Sequence, residues 1–232
     1  MIINHSSNPL KDKAYRDLVN KRKSCQLCTK LKNPSTFLKY DSNEIGSWSL
    51  WQGGLDADIL LVGQDWGGVD YFLKHYGMDE DRNDTNKHLV TLFNSIGLFI
   101  EGPESPIKND KLFFTNVILC LKSGGLTTPV EQKYAQICCE QYLKSLISII
   151  HPKVVIALGT FAFESIVQCY NLNCPPLKDA INVENGFTLE SGIRLFPVHH
   201  CGYWGWNKNR KDPMQIQDWK KIGDYLISIT ND

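Results

Sequence analysis

Four short apolar runs set the frame of this chain: Ile59-Leu60-Leu61-Val62, Leu112 to Ile118, Val154 to Leu158 and Arg194 to Val198. Turn residues bound each of them. None alternates with polar residues, which is how strands read when a parallel sheet buries both their faces. Between the runs the period changes. Residues 86–96 place Leu89, Leu92, Phe93 and Ile96 on one helical face, and residues 129–150 do the same with Ile137, Tyr142, Leu143, Leu146, Ile149 and Ile150. Residues 160–170 and 214–229 are further helix candidates, and 171–192, with its Gly, Asn and Pro, reads as a long linker. Strands alternating with helices predict an α/β three-layer sandwich with a mostly parallel sheet, in one domain over residues 1–232.

Composition narrows the class of function. Hydrophobic residues at 42% and charged residues at 22% fit an ordinary globular protein. No apolar run approaches the ~18 residues of a membrane span. The N-terminus has no basic region followed by an apolar stretch, so no secretory signal is expected. A cytoplasmic, reducing setting follows, in which eight cysteines call for a metal or catalysis before disulfides. The 25 basic and 25 acidic residues leave no net field. Basic residues nevertheless cluster: Lys11, Lys13, Arg16, Lys21, Arg22, Lys23, Lys30 and Lys32 near the start, and Lys208, Arg210 and Lys211 after a run of aromatics. Such clusters track a phosphate backbone or are solvated faces.

Ligands of open parallel sheets bind beyond the carboxyl ends of the strands. Here those ends carry Gly63 to Gly68, Asn116 to Gly125, Gly159-Thr160 and His199-His200-Cys201-Gly202, where the polar and unusual residues concentrate. Cys25-Gln26-Leu27-Cys28 lies before the first strand, which is the wrong place for a thioredoxin-like redox pair. Cys120 follows the second strand directly, and Cys138 and Cys139 lie in the next helix. Two cysteines close in sequence and two delivered by the fold make a four-thiolate site for zinc or iron–sulfur. The competing reading makes Cys120 and Cys139 small buried hydrophobes.

Several segments carry a family pattern. They are Ala57 to Gly63, Phe114 to Cys120, His151 to Gly159 and Pro197-Val198-His199-His200-Cys201-Gly202-Tyr203. In this order, and with these cysteines, the chain resembles the uracil-DNA glycosylase superfamily, especially its iron–sulfur family 4. The resemblance implies a central four-stranded parallel sheet flanked by helices. It also implies a 4Fe–4S cluster, with zinc as the alternative, held by Cys25, Cys28, Cys120 and Cys139 and fed by an N-terminal segment around residues 20–35. Cys139 is preferred to its rival Cys138 because Cys139 to Leu143 resembles the family's spacing from ligand to leucine. Cys169, Cys174 and Cys201 match no cluster position and read as structural.

Excising a base requires a carboxylate or a placed water on the sugar side and donors on the leaving base, with the base flipped out of the helix. Gly63-Gln64-Asp65-Trp66-Gly67 stands at motif 1, and its Gln-Asp resembles the common uracil-DNA glycosylases more than the Glu-Ala of family 4. Asp65 is the expected catalytic carboxylate; helix capping is its competing role. Asn116 is expected to read the pyrimidine edge, unless it merely forms a turn. His200 aligns with the motif-2 histidine that meets the base oxygen, with His199 as its neighbour and alternative. Gly63, Gln64, Trp66, Gly67 and Tyr71 are expected to wall the pocket. Tyr203 and Trp204, with Lys208, Arg210 and Lys211, resemble an aromatic wedge with phosphate contacts, while Trp206 fits a core aromatic equally well.

The departures point to the substrate. The common enzymes follow Gln-Asp with Pro-Tyr, and that tyrosine closes the pocket against groups on C5 of the pyrimidine. Trp66-Gly67 replaces it here and leaves the wall open. The family 4 Gly-Arg-Pro-Phe segment is replaced by Asn83-Asp84-Thr85-Asn86, so Trp66, Tyr71 or Phe72 would have to stack on the base. The expectation is a monomeric, monofunctional DNA glycosylase taking a uracil or a 5-substituted pyrimidine, in repair or in defence against modified foreign DNA. The competing reading is a catalytically silent nucleic-acid-binding module on the same fold. A P-loop or dinucleotide enzyme is excluded, since Gly63 to Gly68 lacks the required lysine and glycine spacing.

Overall fold

The computed structural model describes residues 8–45, 51, 54–104, 110–125 and 128–229. In chain order the elements are α1 (Pro9–Lys23), β1 (Leu31–Lys32), β2 (Ile59–Gly63), α2 (Val69–Lys74), α3 (Asp84–Ser95), β3 (Leu112–Asn116), β4 (Leu121–Lys122), α4 (Gln132–Cys138), α5 (Lys144–Ile150), β5 (Val154–Leu158), α6 (Thr160–Cys169), α7 (Leu177–Ala180), β6 (Phe187–Thr188), β7 (Arg194–Val198) and α8 (Asp212–Ser228). A π turn, Cys139–Leu143, joins α4 to α5, and a second, Gly205–Asn209, precedes α8.

The central sheet has the order β3-β2-β5-β7-β6. Its first four strands are parallel and are the four apolar runs; β6 adds an antiparallel edge. The sheet is thus five-stranded rather than four-stranded. The extra strand is two residues long and lies in the stretch read as a linker, too short to carry a pattern of its own. Successive residues face opposite layers. Leu60, Val62, Val155 and Ala157 pack with α1, α4, α5 and α6, while Ile59, Leu61, Val154 and Ile156 pack with α3 and α8. That is the three-layer α/β sandwich the alternation predicts.

Register levels the strand ends: Gly63 stands opposite Asn116, and Leu158 opposite Val198. The chain leaves β2 for β3 on one side and returns to place β5 on the other, so the crevice opens beyond β2 and β5.

The basic N-terminal cluster is partly structural. It lies on α1, whose Tyr15, Leu18, Val19 and Arg22 face inward at helical spacing. The Arg22 side chain is 2% exposed, pairs with Asp41 at 2.6 Å and donates to the carbonyls of Ser42 and Glu44. Lys11 is tied to Asp56 and to the Leu55 and Ile150 carbonyls. Among the described residues, no helix is long and apolar enough to cross a membrane.

Candidate active site and cysteine centre

A cavity of about 590 Å³ opens beyond the ends of β2 and β5. Gly63, Gln64, Asp65, Trp66 and Gly67 enter it from the β2 end, Asn116 from β3, Leu158 to Phe161 from the end of β5 and the start of α6, and His200 from the loop after β7. Residues far apart in sequence thus meet because a parallel sheet brings all its carboxyl ends to one edge.

Asp65 is held on both oxygens. Its Oδ1 accepts from the Gly67 amide at 2.8 Å and lies 3.2 Å from Lys122 Nζ; Oδ2 accepts from Gln64 Nε2 at 2.7 Å. The Asp65 and Lys122 side chains are 5% and 4% exposed. Lys122 lines the cavity and was absent from the sequence-based site. The signal was there: a lysine closing the apolar run Val117 to Leu121 just past a strand end is out of place unless it meets a charge.

Asn116 is buried, and its Nδ2 has no hydrogen-bond partner among the described residues. The residue packs hard on Gly63, where a Cβ would collide with Asn116 Oδ1. Gly67 has φ +88°, a conformation that a tyrosine in its place would hold only under strain.

His200 accepts the Gly202 amide on Nδ1 at 3.0 Å, so its proton sits on Nε2. Surrounding protein lowers its pKa below the usual histidine value, with Asp65 pulling weakly the other way. The ring nevertheless opens onto the cavity. His199 does not join it. That ring is half-buried outside the cavity, where burial and Arg210 lower its pKa against Asp218.

Of the candidate stacking residues, Trp66 and Tyr71 line the cavity, Trp66 edge-on to Phe114 at 5.1 Å. Phe72 is buried against Phe37 instead. The tract that departs from the family pattern supplies a polar wall of Asp79, Asn83, Thr85 and Asn86. Asp79 accepts from the Tyr71 hydroxyl at 3.0 Å, and burial raises its pKa. It, too, escaped sequence reading, since a segment between two short helices offers no periodicity.

The segment that follows His200 in sequence is mixed. Tyr203 and Trp204 are exposed, 56% and 66%, and meet edge to face; Lys208 and Lys211 are exposed as well. Arg210 is engaged: its guanidinium forks onto the buried Asp218 with both contacts at 2.6 Å. Trp206 stacks on His88 at 4.1 Å, a packing role.

The cysteines resolve into two groups. Cys28 and Cys138 interact as neighbouring thiols, which lowers the Cys28 pKa and raises that of Cys138. Burial, then the nearby Cys28 and Cys25, push Cys120 up to about 12. Cys25 touches the Tyr142 hydroxyl. Cys139 belongs elsewhere: its thiol meets Cys169 and the Ser165 carbonyl. Of the two rival cysteines, then, Cys138 rather than Cys139 is the one that faces Cys28. The π turn starting at Cys139 is the reason, because it takes an extra residue into the turn and shifts any spacing counted back from Leu143. Among the described residues, no group of three or more His, Cys, Asp or Glu side chains is drawn tightly around a single ion position. As a donor set, Cys25, Cys28, Cys120 and Cys138, which interact pairwise, have the thiol chemistry that a thiolate-held cluster or zinc uses.

A parallel α/β sheet with a carboxylate, a carboxamide and a neutral histidine around one cavity at its strand ends defines a candidate enzyme of the base-excising class. The family description of the uracil DNA glycosylase superfamily matches residues 50–222. The chain belongs to the uracil-DNA glycosylase superfamily, and with it to the monofunctional DNA glycosylases. It is 23% identical over 178 residues to the type-4 uracil-DNA glycosylase of Thermotoga maritima, covering 75% of this chain and 81% of that protein. It is 26% identical over 123 residues to the type-4 uracil-DNA glycosylase of Sulfurisphaera tokodaii, covering 53% and 54%.

Proposed function

We propose that the chain hydrolyses the N-glycosidic bond of a pyrimidine flipped out of DNA, and that this base carries a substituent on C5. The grouping of Asp65, Asn116 and His200 around one cavity carries the first part. Asn116 Nδ2 donates to a base oxygen. Asp65 Oδ2 takes a proton from the attacking water and favours the cationic sugar. His200 Nε2–H meets the base oxygen on which negative charge builds, the neutral ring donating without giving up its proton. Gly67 supports the second part, since its backbone holds open the wall that a tyrosine would close. The polar wall of Asp79, Asn83 and Asn86 gives room and partners beyond that opening.

Cys25, Cys28, Cys120 and Cys138 would hold a 4Fe–4S cluster. When bound, the cluster cross-links the N-terminal segment to the loop after β3 and supplies no redox step. The whole chain acts as one glycosylase unit on DNA, as a cytoplasmic monomer, with Tyr203, Trp204, Lys208 and Lys211 at the nucleic-acid rim and a role in repair or in defence against modified DNA. Incubation with DNAs carrying uracil or C5-modified pyrimidines, side by side, tests the base preference. Faster release of a C5-modified base is expected; strict preference for plain uracil would sink the C5 reading.

A further inference from the structure

We propose that Lys122 is a positioning residue for Asp65: it fixes Oδ1 so that Oδ2 is presented to the attacking water. The inference rests on the reading of Asp65 as the group that activates water. Oδ1 receives the Gly67 amide and is ion-paired with the Lys122 ammonium at 3.2 Å, which holds that oxygen in place. Among the described residues, Oδ2 receives Gln64 Nε2 at 2.7 Å, and a carboxylate oxygen has a second lone pair to offer water.

The lysine is delivered by backbone rather than by a flexible tether. Its amide donates to the Gly67 carbonyl at 3.0 Å, and its strand β4 pairs with β1, Lys122 opposite Leu31. The Leu31 amide in turn bonds to the Cys28 carbonyl. Lys122 also bridges to Gly68, so motif 1 and the cysteine segment are pinned together at this residue. A buried ion pair seldom adds stability over an apolar pair of the same volume. Orientation of the carboxylate therefore accounts for this one better than stability does.

A mutant cycle on the full-length protein tests the proposal, using a DNA substrate that the wild type processes. K122M, D65N and the double variant are compared by single-turnover base release, with DNA affinity measured by anisotropy and folding by thermal melting. K122M is expected to slow release about 100-fold while affinity stays within about threefold, and K122R to recover at least about tenfold. Because Lys122 acts through Asp65, the double variant should be no slower than D65N alone. K122Q, smaller and polar, runs the same cycle where K122M melts early. Wild-type rates in K122M or K122Q overturn the proposal. So does a double variant slower than D65N by the whole single-mutant factor, which would assign Lys122 its own substrate contact. D65N releasing base at the wild-type rate would instead overturn the reading of Asp65 itself.

Discussion

A buried donor without an acceptor costs about 1–3 kcal/mol, and Asn116 Nδ2 is one such group at the floor of the cavity. On the proposed function, a base oxygen arriving there recovers that cost. His200 has a pH signature. Burial lowers its pKa from the ordinary 6.5, so the ring is neutral at and above that value and gains a proton only further into acid. Protonation would fill Nδ1, breaking the bond from Gly202, so base release should be level near neutrality and fall as the pH drops well below 6.5. H200Q, which cannot titrate, should be about tenfold slower and lose that part of the acid limb in a single-turnover pH profile. Arg210 separates structure from binding. R210A should lower the melting temperature by roughly 5 °C by leaving Asp218 buried and unpaired, with little change in DNA affinity. That Asp65, Asn116 and His200 meet at one cavity was legible in sequence, because each follows or ends a strand of a parallel sheet. Lys122 showed only as a lysine out of place after an apolar run, since its partner Asp65 comes from another strand end, and Asp79 lies in a segment without periodicity.

At the scale of elements, a single irregular turn decides which of two adjacent cysteines faces Cys28. The π turn at Cys139 sends Cys138 toward Cys28 and Cys139 toward Cys169. C138A should purify without the visible absorbance and iron of an iron–sulfur protein, whereas C139A should retain both, as measured by absorption spectra and iron and sulfide content. Equal loss in the two variants would put the centre elsewhere. The strands β2, β3, β5 and β7 were legible because burial on both faces writes continuous apolar runs. The helices α3, α6 and α8 matched their periodicity to within a few residues. Less visible was α1, whose charged face hid its inward side, and β6, whose two residues form an edge through backbone pairing alone.

At the scale of the whole molecule, the loop after β7 brings His200 to the cavity and exposes Tyr203, Trp204, Lys208 and Lys211 a few residues further along the chain. Removing both aromatics (Y203A/W204A) should weaken DNA binding about tenfold or more in an anisotropy titration, since stacking contributes about 1–3 kcal/mol per base. The layers behind the cavity were predictable from period and burial. The wall of Asp79, Asn83 and Asn86 was not, because nothing in its spacing marks a pocket. The most direct measurement is mass spectrometry of the small molecules released when the intact protein meets a panel of DNAs with modified pyrimidines. Free base released by the wild type, and lost about 100-fold or more in D65N, is the predicted result. No free base from any DNA, with the protein folded and its cysteine centre loaded, would contradict the account.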